Sequence, residues 1–404
     1  MSPSPAWTTI LDCTERGPRP SLSNVITVLQ KDPFFGPDRF WRDDFLDRVI
    51  VVNSAPREWR DEDDFTFTAH IQQTTGMSLV SDAIVAKAVR LVAQQRAKHC
   101  VRDWFQSLTW DGVPRVETAF EDYWGVSDET IHPLTYVRAA SLNFFIGAVA
   151  RIMRPGCKLD TMPVFEGAQG SRKSSALEIL AGPWFAASHE TMGTKDFLVS
   201  MRGKWIIEIA ELQSFSRAEV TQIKNTMSTR IDTYRPPYGR ATVDFPRQCV
   251  FAGTTNVDSW GADETGLRRF WPIRCGDIRL DLLAAAREQL FAEALHLFTV
   301  GASWWTMPDA ALHVQGTRMV QDALTDRIRP LLLGRSEATV ADLCDGMKIT
   351  SEKLDRAFQM RIADSLKRLG WTRQISWREG KTCRLWVPVD SLTTSLPTSD
   401  EEVM

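Results

Sequence analysis

The sequence predicts an α/β fold, with a central and largely parallel sheet between a helical N-terminal region and a C-terminal winged helix. Three observations predict it. Between Met162 and Asn256 short apolar runs alternate with helical stretches, the pattern of a parallel sheet with crossover helices. A glycine-rich loop, Gly167–Ser175, joins the first of those runs to a helix. Beyond Val340 helical segments give way to two β-like runs, Thr372–Trp377 and Cys383–Pro388. With 404 residues, 43% apolar and 25% charged, the chain has the make-up of a folded protein of two to three domains. The expected division is 1–125, 126–310, 325–390 and a polar, acidic, disordered tail over 391–404.

The elements follow in order. Residues 1–33 are rich in Pro, Ser and Thr and turn helical near Ser23–Gln30. From Ser78 to about Arg102, Ile84, Ala88, Leu91 and Val92 recur at helical spacing and predict a helix. Asp111-Gly112 and Pro114 punctuate a turn in LTWDGVPRVE. A helix is expected after Pro133, with Leu134, Val137, Ser141, Phe144, Ala148 and Ile152 on one face and Pro155-Gly156 as its stop. Three buried strands are then expected: MPVFEG (Met162–Gly167), WIIEIAEL (Trp205–Leu212) and CVFAGTTN (Cys249–Asn256). Helices from Lys173 and near Arg217–Met227 separate them.

Composition excludes several classes. Forty-eight Lys and Arg against 51 Asp and Glu leave a net charge of −3, so any nucleic-acid contact must come from local patches. The seven scattered cysteines include no C-x-x-C pair, which argues against structural zinc and against a disulfide scaffold. No secretory signal is visible, and the longest apolar run, near Ala139–Ala150, is too short to span a bilayer. A cytoplasmic protein without membrane partners is the expectation. No paired acidic motif of a polymerase or primase is apparent in the first hundred residues.

The loop GAQGSRKSS carries the strongest chemical signal. Glycines let backbone N–H groups turn inward as an anion nest, and the following helix adds its positive end. Gly167, Gln169, Gly170, Ser171, Arg172, Lys173, Ser174 and Ser175 are therefore the candidate nucleotide-binding residues, with Lys173 on the β- and γ-phosphates and the Ser174 hydroxyl on Mg2+. Arg172 stands where the motif expects glycine. The plain alternative is a glycine-rich turn before an ordinary basic helix start. Glu208 and Glu211 lie at the end of the second run, where a carboxylate on a neighbouring strand could serve Mg2+ and the attacking water. Asn256 ends the third run and could meet the γ-phosphate or orient water. Arg268 and Arg269, in GLRRFWP, suit either an arginine finger offered to a neighbouring subunit or a surface salt-bridge pair.

With those elements in this order, the chain resembles the virulence-associated protein E family of phages and integrated mobile elements. The stretches that carry the resemblance are LTWDGVPR, ARIMRPGCKLDTMPVFEGAQGSRKSS, GKWIIEIAEL, IDTYRPPYGR, PRQCVFAGTTN and TGLRRFWPI, over about residues 100–275. The resemblance implies a P-loop ATPase core like that of superfamily 3 helicases over 126–310, using ATP and Mg2+, assembled as a homo-oligomeric ring such as a hexamer, and moving on DNA in replication. It puts Lys173 and Ser174 in the phosphate loop, Glu211 at the acidic position (and so on the metal with Ser174), with Glu208 as alternate, Asn256 at the polar sensor and Arg268-Arg269 at the finger. It also implies that the hairpin expected around Pro236-Pro237-Tyr238-Gly239 enters the ring channel, where Arg235, Tyr238 and Arg240 would grip single-stranded DNA. The alternative for Arg235 and Arg240 is the ATP site or a subunit interface.

At the C-terminus, Val340–Met347, Ser351–Phe358 and Met360–Gly370 read as three helices before the two β-like runs, the order of a winged helix. Ile362, Leu366 and Leu369 make a core stripe, with Arg361, Ser365 and Arg368 on an adjacent face. Nine Lys or Arg against three acids between Lys353 and Arg384 make a local basic footprint, so Arg361, Lys367 and Arg368 are candidate contacts to DNA, double-stranded DNA included. A winged helix used only for protein contacts is the alternative. Three functions compete: an ATP-driven DNA translocase or helicase, an ATP-switched DNA-binding initiator or regulator with little turnover, and a P-loop kinase or small-molecule NTPase.

Overall fold

The first strands are too short to stand alone: β1 (Cys13–Thr14) and β2 (Gly17–Pro18) close a small hairpin ahead of α1 (Leu22–Lys31). The computed structural model describes residues 6–127, 133–188, 192–212, 217–236, 241–257, 267–316, 323–349, 356–378 and 381–389. The chain divides into two units, Met1–Arg318 and Met319–Met404.

In the first unit Ser21 caps α1, accepting from the Asn24 N–H, and Val25, Val28 and Leu29 form its buried face. An antiparallel sheet not foreseen in the sequence follows, made of β3 (Phe40–Asp43), β4 (Arg48–Val52) and β5 (Pro56–Glu58). Then come α2 (Asp61–Thr75) and α3 (Asp82–Gln95), whose Phe67, Ile71 and Val89 join Val25, Phe35 and Phe40 in one core. The helix expected through Arg102 is broken. It ends at Gln95 because Lys98 donates its N–H to the Arg42 carbonyl beside β3, which holds the chain extended. His99 then caps α4 (Cys100–Ser107) by accepting from the Arg102 N–H.

After α5 (Ala119–Trp124) comes α6 (Leu134–Met153), which starts after Pro133 as the pattern predicts but is buried on nearly every side. The remaining elements of this unit are β6 (Met162–Glu166), α7 (Lys173–Ala181), β7 (Phe185–Ser188), α8 (Lys195–Ser200), β8 (Ile206–Ile209), α9 (Arg217–Ser228), β9 (Ile231–Tyr234), β10 (Val243–Pro246), β11 (Val250–Thr255), β12 (Phe270–Arg274), α10 (Leu280–Thr299) and α11 (Ala310–Gly316). Five strands form one sheet in the order β12-β6-β11-β8-β7, every pair parallel. Buried on both faces, β6, β8 and β11 read as largely apolar runs. Phe145 of α6, Leu177 of α7 and Phe291 of α10 pack with Trp205, Val250 and Phe165 in one core. Register brings Thr255 beside Glu166 and Gly253 beside Ile209, so the carboxyl ends of β6, β11 and β8 open on one side. In open parallel sheets that edge is where ligands bind. No described helix is long and apolar enough to cross a membrane.

The second unit holds α12 (Ala323–Leu332), α13 (Val340–Gly346), α14 (Arg356–Arg368) and the antiparallel pair β13 (Trp371–Arg378) and β14 (Lys381–Pro388). Ile328, Leu343, Ile362, Leu366, Trp371 and Trp386 form its core. The helix boundaries expected here are corrected. A single helix runs through Phe358–Met360, where two were predicted to meet, while residues 350–355 lie outside the described residues. Ser365 is also corrected. It is 1% exposed and belongs to the buried side with Ile362 and Leu366, not to a polar face. The tail over 391–404 lies outside the described residues.

Candidate functional site

The five residues of β6 are all buried, and the chain leaves them through a tight loop. Gly167 donates its N–H to the Thr255 carbonyl at 3.2 Å, and the Ser171 N–H reaches the Ala168 carbonyl at 3.2 Å. Gly170 (φ 80°) and Arg172 (φ 66°) both adopt the left-handed conformation before α7 begins. That conformation is the physical reason the motif expects glycine at 172: a side chain there costs about 1–2 kcal/mol. The first turn of α7 presents N–H groups with no intrahelical acceptor toward the loop. The Arg172 guanidinium points elsewhere, 3.5 Å from the Asp277 carboxylate, with both side chains largely exposed.

Lys173 is 6% exposed. Its Nζ donates to the carbonyls of Gly167 (2.8 Å) and Ala168 (3.0 Å), to Ser171 Oγ (3.1 Å) and, at 3.4 Å, to Asn256 Oδ1. Burial holds this ammonium below the usual lysine range. Loop, lysine and predicted sensor amide are thus in one place.

The sequence places the acidic strand beside the loop's strand; in the structure β11 lies between β6 and β8. The carboxylate still reaches the loop across that strand. Ser174 Oγ and Thr254 Oγ1 each donate to Glu208 Oε1 at 2.7 Å, and Glu208 is 2% exposed. Glu211, just past β8, is exposed and left-handed (φ 55°). Residues 169–175, Glu208, Ala210, Glu211 and Thr254–Asn256 line an open cleft of about 370 Å3, within the range of small-ligand sites. At the end of the third strand Asn256 meets Lys173, and Thr254, two residues earlier, makes the contact to the acid. Its place at the end of a buried apolar run was the available signal.

Other predicted residues lie apart. Phe270 pairs with Met162 and Arg274 with Glu166, so Arg268 and Arg269 sit at the amino end of β12, about 13 Å of strand away from the loop's end. Arg268 is exposed, and Arg269 faces Asp160 at 3.8 Å. Arg235 is exposed at the end of β9, which pairs with β10 in the expected hairpin. Tyr238 and Arg240 lie outside the described residues. Lys367 is exposed on α14; the side chains of Arg361 and Arg368 lie outside the described residues.

Fold and cleft together define a parallel-sheet α/β protein with a glycine-rich loop and a buried acid at the carboxyl edge of its sheet. The chain belongs to the family of the virulence-associated protein E-like domain, whose model matches residues 105–322. No curated protein matches it. Among solved structures it is similar to the apo C-terminal region of NrS-1 (residues 305–718), at 13% identity over 89% of this chain and all of that one, with a TM-score of 0.45. An A-form apo structure of the same region matches at 11% identity over 86% of this chain and 96% of that one, with a TM-score of 0.46.

Proposed function

We propose that the chain binds ATP with Mg2+ in the cleft of the carboxyl sheet edge and hydrolyses it to move along DNA in phage or mobile-element replication. The observation that carries the reading is the convergence of the Ser174 and Thr254 hydroxyls on the buried Glu208 carboxylate, beside Lys173 and the helix N-terminus. The residues fit the group. Mg2+ favours oxygen ligands and takes one or two carboxylates with substrate phosphates, and Ser174 and Glu208 supply a hydroxyl and a carboxylate in contact. Bound Mg2+ would neutralise charge on the phosphate oxygens.

In this reading Lys173 exchanges its loop carbonyls for terminal phosphate oxygens, and the first turn of α7 holds the phosphates by its N–H groups. Glu208 fixes the Ser174 hydroxyl, taking over the metal role first given to Glu211. Glu211, exposed on the cleft, orients water, and Asn256 ties the third strand's end to Lys173. Arg268 lies at the far end of its own sheet and so would serve the cleft of a neighbouring copy, which supports assembly as a ring. Of the cations expected to contact DNA, Arg235 on the hairpin and Lys367 on α14 have exposed side chains among the described residues.

The test is ATPase activity with and without single-stranded DNA. The reading expects turnover that DNA stimulates. Tight nucleotide binding without turnover would replace it with the ATP-switched initiator, and turnover indifferent to DNA would remove the translocase.

A further inference from the structure

At the amino ends of β6 and β12, on the other side of the sheet from the phosphate cleft, lies a second and larger cavity of about 720 Å3. Its lining includes Arg154, Lys158, Arg230, Trp304 and Trp305. Arg154, Lys158 and Arg230 are exposed, and among the described residues no carboxylate lies within ion-pair distance of any of them. With Arg268 and Arg269 the lining holds five cations against two carboxylates, Asp160 and Asp309, a local excess of positive charge on a chain of net charge −3. Trp305 is 63% exposed, an unusual state for so large a ring, and it is braced edge-on by Trp304 with centroids 4.7 Å apart. Trp304 is itself fixed, donating its Nε1–H to the Lys158 carbonyl at 3.1 Å. The lining also holds two buried donors without a hydrogen-bond partner, Arg269 Nε and Trp271 Nε1.

The cavity continues the base of the β9–β10 hairpin. Arg230 immediately precedes β9, donates through Nε to the Gly156 carbonyl at 2.7 Å, and receives the Arg247 N–H on its own carbonyl. A strand held at the hairpin would therefore run on past Arg230 toward Trp305. Cations that follow a backbone, next to a braced and exposed aromatic face, are what binding of single-stranded nucleic acid requires. An acidic protein surface would use the cations and leave the ring idle.

We infer that this cavity is a binding site for single-stranded DNA, in which Trp305 stacks on a base while Arg154, Lys158 and Arg230 follow the phosphates. The inference shares with the proposed function the choice of DNA as partner, and the cavity borders Arg268, but it needs neither ATP binding nor turnover.

The experiment is fluorescence anisotropy of a labelled oligothymidylate of about 16 nucleotides, a length that fills one such site, titrated at several salt concentrations. Trp305→Ala is expected to raise Kd by about 5- to 150-fold. The double variant Arg154→Ala/Lys158→Ala is expected to flatten the salt slope by about 1.4, or about 0.7 for each lost phosphate contact on a single strand. All three side chains are exposed, so the fold is expected to survive, with circular dichroism as the check. Lys173→Ala is expected to bind the oligonucleotide as the parent does, which separates this inference from the fate of the ATP site. Unchanged affinity and unchanged slope in both cavity variants would overturn it. So would saturation of the cavity by free thymidine monophosphate with no response to the oligonucleotide.

Discussion

Replacing Arg172 tests the loop through its backbone. The residue stands at φ 66°, where a side chain costs about 1–2 kcal/mol relative to glycine. Glycine carries an opposing penalty of about 0.4–1 kcal/mol, because its unfolded chain has more freedom to lose. Arg172→Gly should therefore be more stable than Arg172→Ala by about 1 kcal/mol. Both variants lose the same contact to Asp277, an exposed pair at 3.5 Å, so its small contribution cancels in the comparison. By thermal unfolding the glycine variant should melt about 2–4 °C above the alanine variant. At an ordinary negative φ the order reverses, since glycine is then the worse residue. An alanine variant as stable as the glycine variant, or more so, would refute the left-handed turn and the reason given for the motif's glycine.

The other substitutions separate roles that lie close together. Glu208→Gln should weaken Mg2+-dependent nucleotide affinity, read by titration at varied Mg2+, while Glu211→Gln should lower turnover by about 10²–10⁴-fold with binding intact; identical effects would merge the two roles. Arg268→Ala should cut turnover by about 10³–10⁵-fold without loss of nucleotide binding. Mixing it with Lys173→Ala should restore part of the activity, and mixed assemblies with no recovery would count against a shared site. Asp232→Ala should strand the buried Arg247, which now donates from Nε to Asp232 Oδ2 at 2.9 Å and pairs with it again through Nη2. The loss of about 3–5 kcal/mol should lower the melting temperature by roughly 6–20 °C, and a drop below 2 °C would show that the hairpin base does not depend on the pair.

The parts legible in the sequence were those written locally. The run Met162–Glu166, the glycines after it and the helix from Lys173 follow from neighbours in the chain, and so does the stop of α6 at Pro155-Gly156. Strand order is not written locally, which is why β11 between β6 and β8 was missed. Nor could alternation separate Glu208 from Glu211, because all four residues of β8 are buried and the strand has no solvent face to give a phase. Ser365 was misplaced because the buried stripe of α14 is wider than its apolar residues mark. The second cavity draws on residues from Arg154 to Gln315, which only the folded sheet brings together.

The central claim is that Lys173 and its loop hold the phosphates of a nucleotide. The most direct measurement is calorimetric titration of a non-hydrolysable ATP analogue with Mg2+ into the parent chain and into Lys173→Ala, with circular dichroism and melting checked for both. The account predicts saturable binding of one nucleotide per chain by the parent, and affinity at least about tenfold weaker, a difference of about 1.4 kcal/mol, in a folded variant. Equal affinity in both folded proteins, or no binding by the parent chain, would contradict it.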